Sequence, residues 1–375
     1  MSLSYDAVVL GGGIVGAACA HVFAKEGMKV ALVERDVIGG GATAAGMGHI
    51  VAMDDSHAQF ALTRYSQQLW RSLASELPDA VEYEQCGTLW VACDEEEMAE
   101  VFAKQAYYAE HGVPVKVLDA AAVADAEPNL RKGMAGALLV QEDAVLYPPV
   151  AAAYLVRAAQ EKGAEVYLGK LAVEARQGRV VLEDGTVLAS PRIVNAAGTA
   201  AMELTPGLKI KKRKGHLAIT DRYPGFVRHQ LVELGYLKSA HSVVSDSVAF
   251  NVQPRQTGQI LIGSSRQYDN EDSAVDHAIL QAMLERAHFY MPTLGELSAI
   301  RMWTGFRVAT PDKLPLIGLS ALDDTVFLAA GHEGLGITTS LATAQLLADY
   351  FAGRASVIAI DPYLPQRFVG EAAHA

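Results

Sequence analysis

The sequence predicts an α/β fold with a second domain of α+β type. Three observations carry this. The apolar run Ala7–Leu10 leads through Gly11-Gly12-Gly13-Ile14-Val15-Gly16 into a helical segment. A second strand, glycine loop and helix stand at 326–351, near the other end of the chain. Between them, residues 210–304 read as alternating strands at 217–220, 248–252 and 259–263, followed by one helix at 274–290 that Pro292 stops. Several strands followed by a single helix point to an antiparallel sheet with a helix laid on it.

Composition narrows the classes. The chain has 375 residues, 51% of them hydrophobic and 20% charged, which suits a packed core and excludes a disordered or collagen-like polymer. Lys+Arg 31 against Asp+Glu 43 gives a net charge of −12, so nothing general draws the protein to nucleic acid or anionic lipid. Three cysteines, Cys19, Cys86 and Cys93, form no CxxC pair, which argues against a disulfide scaffold and predicts no metal site. No run of 18 apolar residues occurs, so no membrane span is expected. Met1-Ser2-Leu3-Ser4 lacks a basic leader, so a cytoplasmic location, or one peripheral to the inner membrane, is expected.

The first unit has a specific physical logic. Gly11 permits a tight turn, Gly13 lets backbone approach a pyrophosphate, and Gly16 lets helix and strand pack closely. The helix at 17–26, stopped by Gly27, offers free amides and a positive dipole end at its start, around Ile14 and Val15. A strand at 29–33 ends in Glu34, an acid placed to accept hydrogen bonds from ribose hydroxyls, with Arg35 beside it. GxGxxG alone is weak; with the strand before, the helix after and the acid at this distance it predicts a dinucleotide site.

Two further glycine-rich stretches separate flavin from nicotinamide. Gly39-Gly40-Gly41-Ala42-Thr43-Ala44-Ala45-Gly46-Met47-Gly48 is a run of small residues able to lie flat against a ligand. Gly331-His332-Glu333-Gly334-Leu335-Gly336-Ile337-Thr338 leads into a helix at 339–351, stopped by Gly353. A helix start aimed at a flavin ring stabilises the negative charge of its reduced form, a need that nicotinamide does not share, so the cofactor expected is FAD. No GxSxG, HExxH or P-loop suggests competing chemistry.

The rest of the chain reads as a helix at 58–77 with Leu62, Tyr65, Leu69 and Leu73 at helical spacing, a short strand at 88–92, and a polar helix at 95–111. A helix at 152–162, a strand at 165–168, a hairpin around 183–185 and a strand at 192–196 return to α/β character.

On GGGIVG at 11–16, Ala45-Gly46-Met47, Ile193-Val194-Asn195-Ala196-Ala197-Gly198, Gly305-Phe306-Arg307 and Gly331-His332 to Gly336, the chain resembles the FAD-dependent D-amino acid oxidase superfamily, in its glycine oxidase and sarcosine oxidase branch. Asn251-Val252-Gln253-Pro254-Arg255, GQILIGSSR at 258–266 and GHEGLGITTS resemble bacterial D-hydroxyproline dehydrogenases. Related hydrogen cyanide synthase and opine or proline dehydrogenase flavin subunits share much of this.

The resemblance implies a Rossmann-like FAD domain assembled from separated segments, 1–85, 141–209 and 305–375, and an antiparallel-sheet substrate domain, 86–140 and 210–304. It implies FAD contacts from Gly41, Ala42, Thr43, Ala45, Gly46, Met47, Ala197, Gly198, Arg307, Gly331, Gly334, Leu335, Gly336, Ile337 and Thr338, with Val173 against the adenine. It makes Arg307 the carboxylate anchor, since a planar guanidinium grips a carboxylate with two parallel hydrogen bonds. Arg255 and Arg266 are weaker anchors, and Arg255, next to Pro254, reads as structural. His332 is expected at the flavin edge, and Met47 and His49 where the first loop passes the ring. Asn251 stands where glycine oxidase-like enzymes carry a tyrosine, so Phe250 and Asn251 are expected to shape a pocket for a larger or ring-shaped amine.

The implied reaction is hydride transfer from the α-carbon to flavin N5, giving an imine, with positioning supplying most of the rate. The implied substrate is a small cyclic or secondary amino acid, D-hydroxyproline foremost. Two alternatives stay open: a glycine, sarcosine or D-amino acid oxidase using oxygen, and the flavin subunit of a heteromeric opine or proline dehydrogenase. Leu261 occupies the place where sarcosine oxidases carry an oxygen-activating lysine, which favours a quinone or carrier as electron acceptor. Lys209, Lys211, Lys212, Arg213 and Lys214 form a basic cluster: a solvated strand edge, or a docking patch for an electron acceptor or partner subunit.

Overall fold

The computed structural model describes residues 3–235, 246–268 and 270–368; Met1 and Ser2 of the leader reading lie outside them. The chain forms two compact units, Met1–Val81 with Tyr147–Lys212 and Phe306–Ala375, and Glu82–Leu146 with Arg213–Gly305.

The first unit is built on a six-stranded sheet in the order Leu316–Leu319, Val326–Ala330, Ile193–Asn195, Ala7–Leu10, Val30–Glu34, Glu165–Leu168. Every neighbouring pair is parallel except the first, which is antiparallel. Ala7–Leu10 is central and fully buried, as its unbroken apolar run requires. Helix Ile14–Lys25 packs against Pro148–Glu161 and Gly336–Ala352, and the last of these also against His57–Leu73. Ser56 caps His57–Leu73 by accepting the Gln59 amide, and Gly353, at φ 64°, ends Gly336–Ala352 in the left-handed conformation. A smaller sheet of four strands includes the hairpin expected at 183–185.

The second unit carries an eight-stranded sheet in the order Ala299–Ala309, Lys211–Thr220, Ile260–Arg266, Ser247–Pro254, Gln230–Glu233, Thr88–Ala92, Gly136–Val140, Val115–Asp119. It is not wholly antiparallel: Gln230–Glu233 and Thr88–Ala92 run parallel. Gln230–Glu233, Gly136–Val140 and Val115–Asp119 escape the sequence reading because they are short and lack clean alternation. Helix His277–Tyr290 lies on the third and fourth strands of this order, Ile260–Arg266 and Ser247–Pro254. Beneath it, Leu89, Leu231, Val252, Ile262 and Met283 form the core.

Phe250 belongs to that core, which corrects the expectation that it lines a pocket. Its ring is fully buried and stacks on Tyr290, with centroids 4.4 Å apart and planes 13° from parallel. Successive side chains of a strand leave on opposite faces, so Phe250 and Asn251 cannot serve the same cavity. Beside the ring stack, the buried Glu233 carboxylate accepts the Phe250 amide at 2.6 Å and the Tyr290 hydroxyl at 3.0 Å, and pairs with Arg286.

The basic cluster is divided by burial. Lys209 and Lys211 are exposed, but Arg213 and Lys214 are buried, and Arg213 lies over the Tyr268 ring at 4.8 Å. Arg255 is held by Glu82 through two hydrogen bonds of 2.7 and 2.6 Å, the structural role that its neighbour Pro254 suggested. Among the described residues no helix is long and apolar enough to cross a membrane.

Candidate functional site

The fingerprint glycines divide by what holds them. At Gly11, φ is 103° and a Cβ would lie 2.6 Å from the Ala196 carbonyl oxygen. At Gly16 a Cβ would lie 1.9 Å from the Gly11 oxygen. Both are dictated by close backbone packing inside the fold. Gly13 has an ordinary φ of −66°, and its Cβ would meet only Thr43 Oγ1, at 3.2 Å. The turn is therefore open in front of Gly13, the cradle a phosphate needs.

Polar groups pin this turn. The Gly12 amide donates to Glu34 Oε2 at 2.6 Å, and the Asp36 amide to Glu34 Oε1 at 2.7 Å. The Ile14 amide, one of the orphan donors of a helix start, donates to Thr43 Oγ1 at 3.0 Å. Arg35 pairs with its exposed neighbour Asp36.

The second glycine-rich stretch is not a flat loop: Gly41–Ala45 forms a short helix, with Gly41 and Ala42 exposed. Beyond it Met47 is buried, and a Cβ on Gly46 would lie 2.9 Å from Ile337 Cδ1. Thr338 Oγ1 donates to the His49 carbonyl at 2.8 Å and accepts the Val51 amide at 3.4 Å. Trp70 Nε1 donates to the Ile337 carbonyl at 3.2 Å, and Ser66 Oγ accepts the Ala342 amide at 3.1 Å. These contacts bring the 41–51 segment against the start of helix Gly336–Ala352. A Cβ on Gly336 would lie 3.8 Å from Val15 Cγ2, so this helix start also adjoins the fingerprint helix. Gly331 takes φ 77°, and Gly334 has open space around it.

Asn195 shapes a third edge. Its amide donates to Ala201 O and Thr205 Oγ1, both at 2.9 Å, and its Oδ1 accepts the Ala197 amide at 3.2 Å. Gly198 follows at φ 56°. Val173 is exposed, at an irregularity between Ala172 and Glu174.

The two histidines part company. His49 Nδ1 is buried without a hydrogen-bond partner. Burial, and then the nearby Arg307 charge, hold the imidazole down to about 4, with a hydrogen bond to Gly334 backbone acting the other way. His49 is thus neutral near pH 7, with Arg307 near enough to be felt. His332 is held within the fold. Its Nε2 is 3.0 Å from Thr343 Oγ1 inside the fold, and burial alone pushes it down to about 4. A neutral imidazole bonded into helix Gly336–Ala352 positions the glycine loop.

The chain matches the FAD dependent oxidoreductase family over residues 6–350. It belongs to that family. It is 27% identical to a glycine oxidase of Geobacillus kaustophilus over 99% of both chains. It is likewise 27% identical to hydrogen cyanide synthase subunit HcnC of Pseudomonas protegens, over 97% of this chain and 96% of that one. The crystal structure of glycine oxidase from Geobacillus kaustophilus superposes with a TM-score of 0.86 at 26% identity, covering 98% of this chain and 100% of that one.

FAD is the cofactor of this family, and the residues fit it. The open side of Gly13 and the helix start at Ile14 suit a pyrophosphate; Glu34 suits a ribose; the unpartnered His49 Nδ1 offers a buried polar contact for the ring. The motifs signalled the glycines and Glu34. They missed Gly12, Ser66 and Trp70, whose roles rest on contacts between segments far apart in sequence.

Proposed function

We propose that the protein oxidises the Cα–N bond of a small cyclic or secondary amino acid to an imine, with D-hydroxyproline as its foremost substrate. What supports this reading is the match to the FAD dependent oxidoreductase family over residues 6–350 and the 27% identity to a glycine oxidase along nearly the whole of both chains. Arg307, whose charge helps to hold His49 neutral, is the cation we assign to the substrate carboxylate, which a guanidinium grips in a bidentate fork. The relatives support an amine substrate: two are a glycine oxidase and a hydrogen cyanide synthase subunit.

Arg307 holds the carboxylate and fixes the orientation of the α-carbon, which is where most of the rate arises. His49, buried and neutral, adds no competing positive charge. The substrate enters with its amine neutral; the Cα–H bond breaks with its electron pair, the nitrogen lone pair forms C=N, and the nitrogen gives up its proton to solvent. Bound FAD supplies the two-electron acceptor. Leu261 stands where sarcosine oxidases carry an oxygen-activating lysine, and on that resemblance we assign the final electrons to a quinone or carrier rather than to oxygen.

The test is anaerobic mixing of the yellow holoprotein with cis-4-hydroxy-D-proline. Bleaching of the flavin band is expected. Persistent colour with every amino acid tried would refute the reading.

A further inference from the structure

The eight-stranded sheet of the second unit ends differently at its two edges. Val115–Asp119, at one edge, is short, exposes the charges of Lys116 and Asp119, and packs against helices Glu95–Glu110 and Ala120–Ala126. Short length, charge and covering helices are the usual guards of an edge against another strand. Ala299–Ala309, at the other edge, is 11 residues long. Its first four residues, Ala299, Ile300, Arg301 and Met302, are all exposed, with Ile300 at 56% and Met302 at 45%. They include one charge and no proline. A long edge with exposed apolar side chains is a template for a further strand.

The direction of its backbone groups follows from Ser298. Asp221, the residue after strand Lys211–Thr220, donates its amide to the Ser298 carbonyl at 2.8 Å, and the Ser298 amide donates to the Tyr223 hydroxyl at 2.9 Å. Ser298 therefore turns its polar groups inward, towards its sheet neighbour. Along a strand these groups alternate between the two edges, so Ala299, Arg301 and Trp303 turn theirs outward. Among the described residues no strand lies beyond this one in the sheet.

The side chains make the edge complementary to itself. An antiparallel pairing of two copies about a two-fold axis at Met302 sets Arg301 opposite the partner's Trp303, and Trp303 opposite the partner's Arg301. Both residues turn their backbone groups outward, so this register bonds them directly. Within the strand Arg301 already lies over the Trp303 ring at 5.2 Å, and the second guanidinium meets a ring suited to a cation. An axis at Arg301 would instead oppose two like charges. On the other face, Met302 meets its own copy, flanked by Ile300. A net charge of −12 opposes self-association in general, but Leu297 to Ala309 contain no acid, so the copies meet here without carboxylate repulsion.

We propose that the outer edge of Ala299–Ala309 joins two copies of this chain, with Arg301 and Trp303 of each opposed across a two-fold axis at Met302. The contact is isologous, as a two-fold axis requires, and it continues the eight-stranded sheet from one subunit into the next. It stands whatever substrate the protein oxidises.

The experiment measures the mass of the holoprotein by size exclusion with light scattering, in the wild type and in Arg301→Pro. Proline removes an outward amide and the cation, but no bond to strand Lys211–Thr220, so the fold should survive. The wild type is expected at twice the chain mass of 39.9 kDa or a multiple of it, and Arg301→Pro at half the wild-type mass with its circular dichroism and FAD content kept. Cysteine cross-linking tests the register without relying on proline. Opposed residues at the axis have Cα atoms about 4.5 Å apart, within reach of a disulfide. In this register the two copies of Ile300 are offset by about 13 Å along the strands, beyond that reach. Under mild oxidation Met302→Cys should therefore run as a covalent dimer on a non-reducing gel, and Ile300→Cys and the wild type as monomers. A monomeric wild type overturns the proposal. So does a folded Arg301→Pro protein of full wild-type mass, which would place the interface elsewhere. Linkage through Ile300→Cys as strong as through Met302→Cys would mark random collision and overturn it too.

Discussion

Glu34 reaches back to the fingerprint turn, where its Oε2 accepts the Gly12 amide at 2.6 Å. Its other oxygen accepts the Asp36 amide at 2.7 Å, so the acid at the strand end fixes the turn itself. Each oxygen keeps a further lone pair for a ribose hydroxyl. Glu34→Gln replaces one acceptor with an NH2 group facing a backbone N–H. We expect a loss of about 1–3 kcal/mol in stability, seen as a Tm lower by several degrees. FAD affinity should fall by about tenfold or more, since a charge-assisted hydrogen bond is lost. Fluorescence of released FAD on dilution measures it; wild-type Tm and affinity together would show the carboxylate idle.

Gly13 and Gly16 should fail differently. A Cβ at Gly16 would lie 1.9 Å from the Gly11 oxygen, an overlap that only backbone movement relieves. Gly16→Ala is therefore expected to yield little folded protein. A Cβ at Gly13 would meet only a hydroxyl at 3.2 Å, so Gly13→Ala should fold, with a Tm close to that of the wild-type apoprotein, and bind FAD poorly. Circular dichroism and the ratio of flavin to protein absorbance separate the two outcomes. A Gly13→Ala protein saturated with FAD would show that the pyrophosphate lies elsewhere.

His332 makes stability depend on pH. Its folded value is about 4 against an ordinary 6.5, through burial. Between those values the unfolded chain takes up a proton that the folded chain refuses. Stability is therefore complete above pH 6.5 and declines as pH falls towards 4, by at most roughly 3 kcal/mol from this residue. His49 acts in the same direction. Urea unfolding at pH 7.5 and pH 5 should show the loss, and His332→Asn should flatten it. An unchanged slope in that variant would mean that the ring is protonated in the folded protein.

Where the chain's physics is local, the sequence is legible. The run Ala7–Leu10, Gly11, Gly16 and Gly353 each state their role through backbone conformation or spacing, and the structure keeps them in it. Long-range placement is not so stated. Phe250 and Asn251 are adjacent in sequence, yet strand alternation sends one ring under helix His277–Tyr290 and the other side chain to the opposite face. Nothing in the sequence around His332 names its partner, Thr343, two turns inside the next helix. The strand Gln230–Glu233 shows no periodic signal, because Gln230 is buried on one face and Glu233 on the other, each for its own polar reason.

Arg307 is open to a test that separates an anchor from a structural cation. Lysine keeps the charge but loses the planar fork; alanine loses both. If the guanidinium grips a substrate carboxylate, Arg307→Lys should raise KM by about tenfold and Arg307→Ala by about a hundredfold or more, with FAD retained in both. A second readout is independent of substrate. Arg307 contributes, after burial, to holding His49 down to about 4, so removing its charge should let the His49 value rise part of the way towards 6.5. Proton NMR of the His49 ring follows this directly. Arg307→Ala with a raised KM, full FAD content and a raised His49 value fits an anchor beside a neutral imidazole. An unchanged KM with a raised His49 value would leave Arg307 in its observed neighbourhood and assign the carboxylate to another cation.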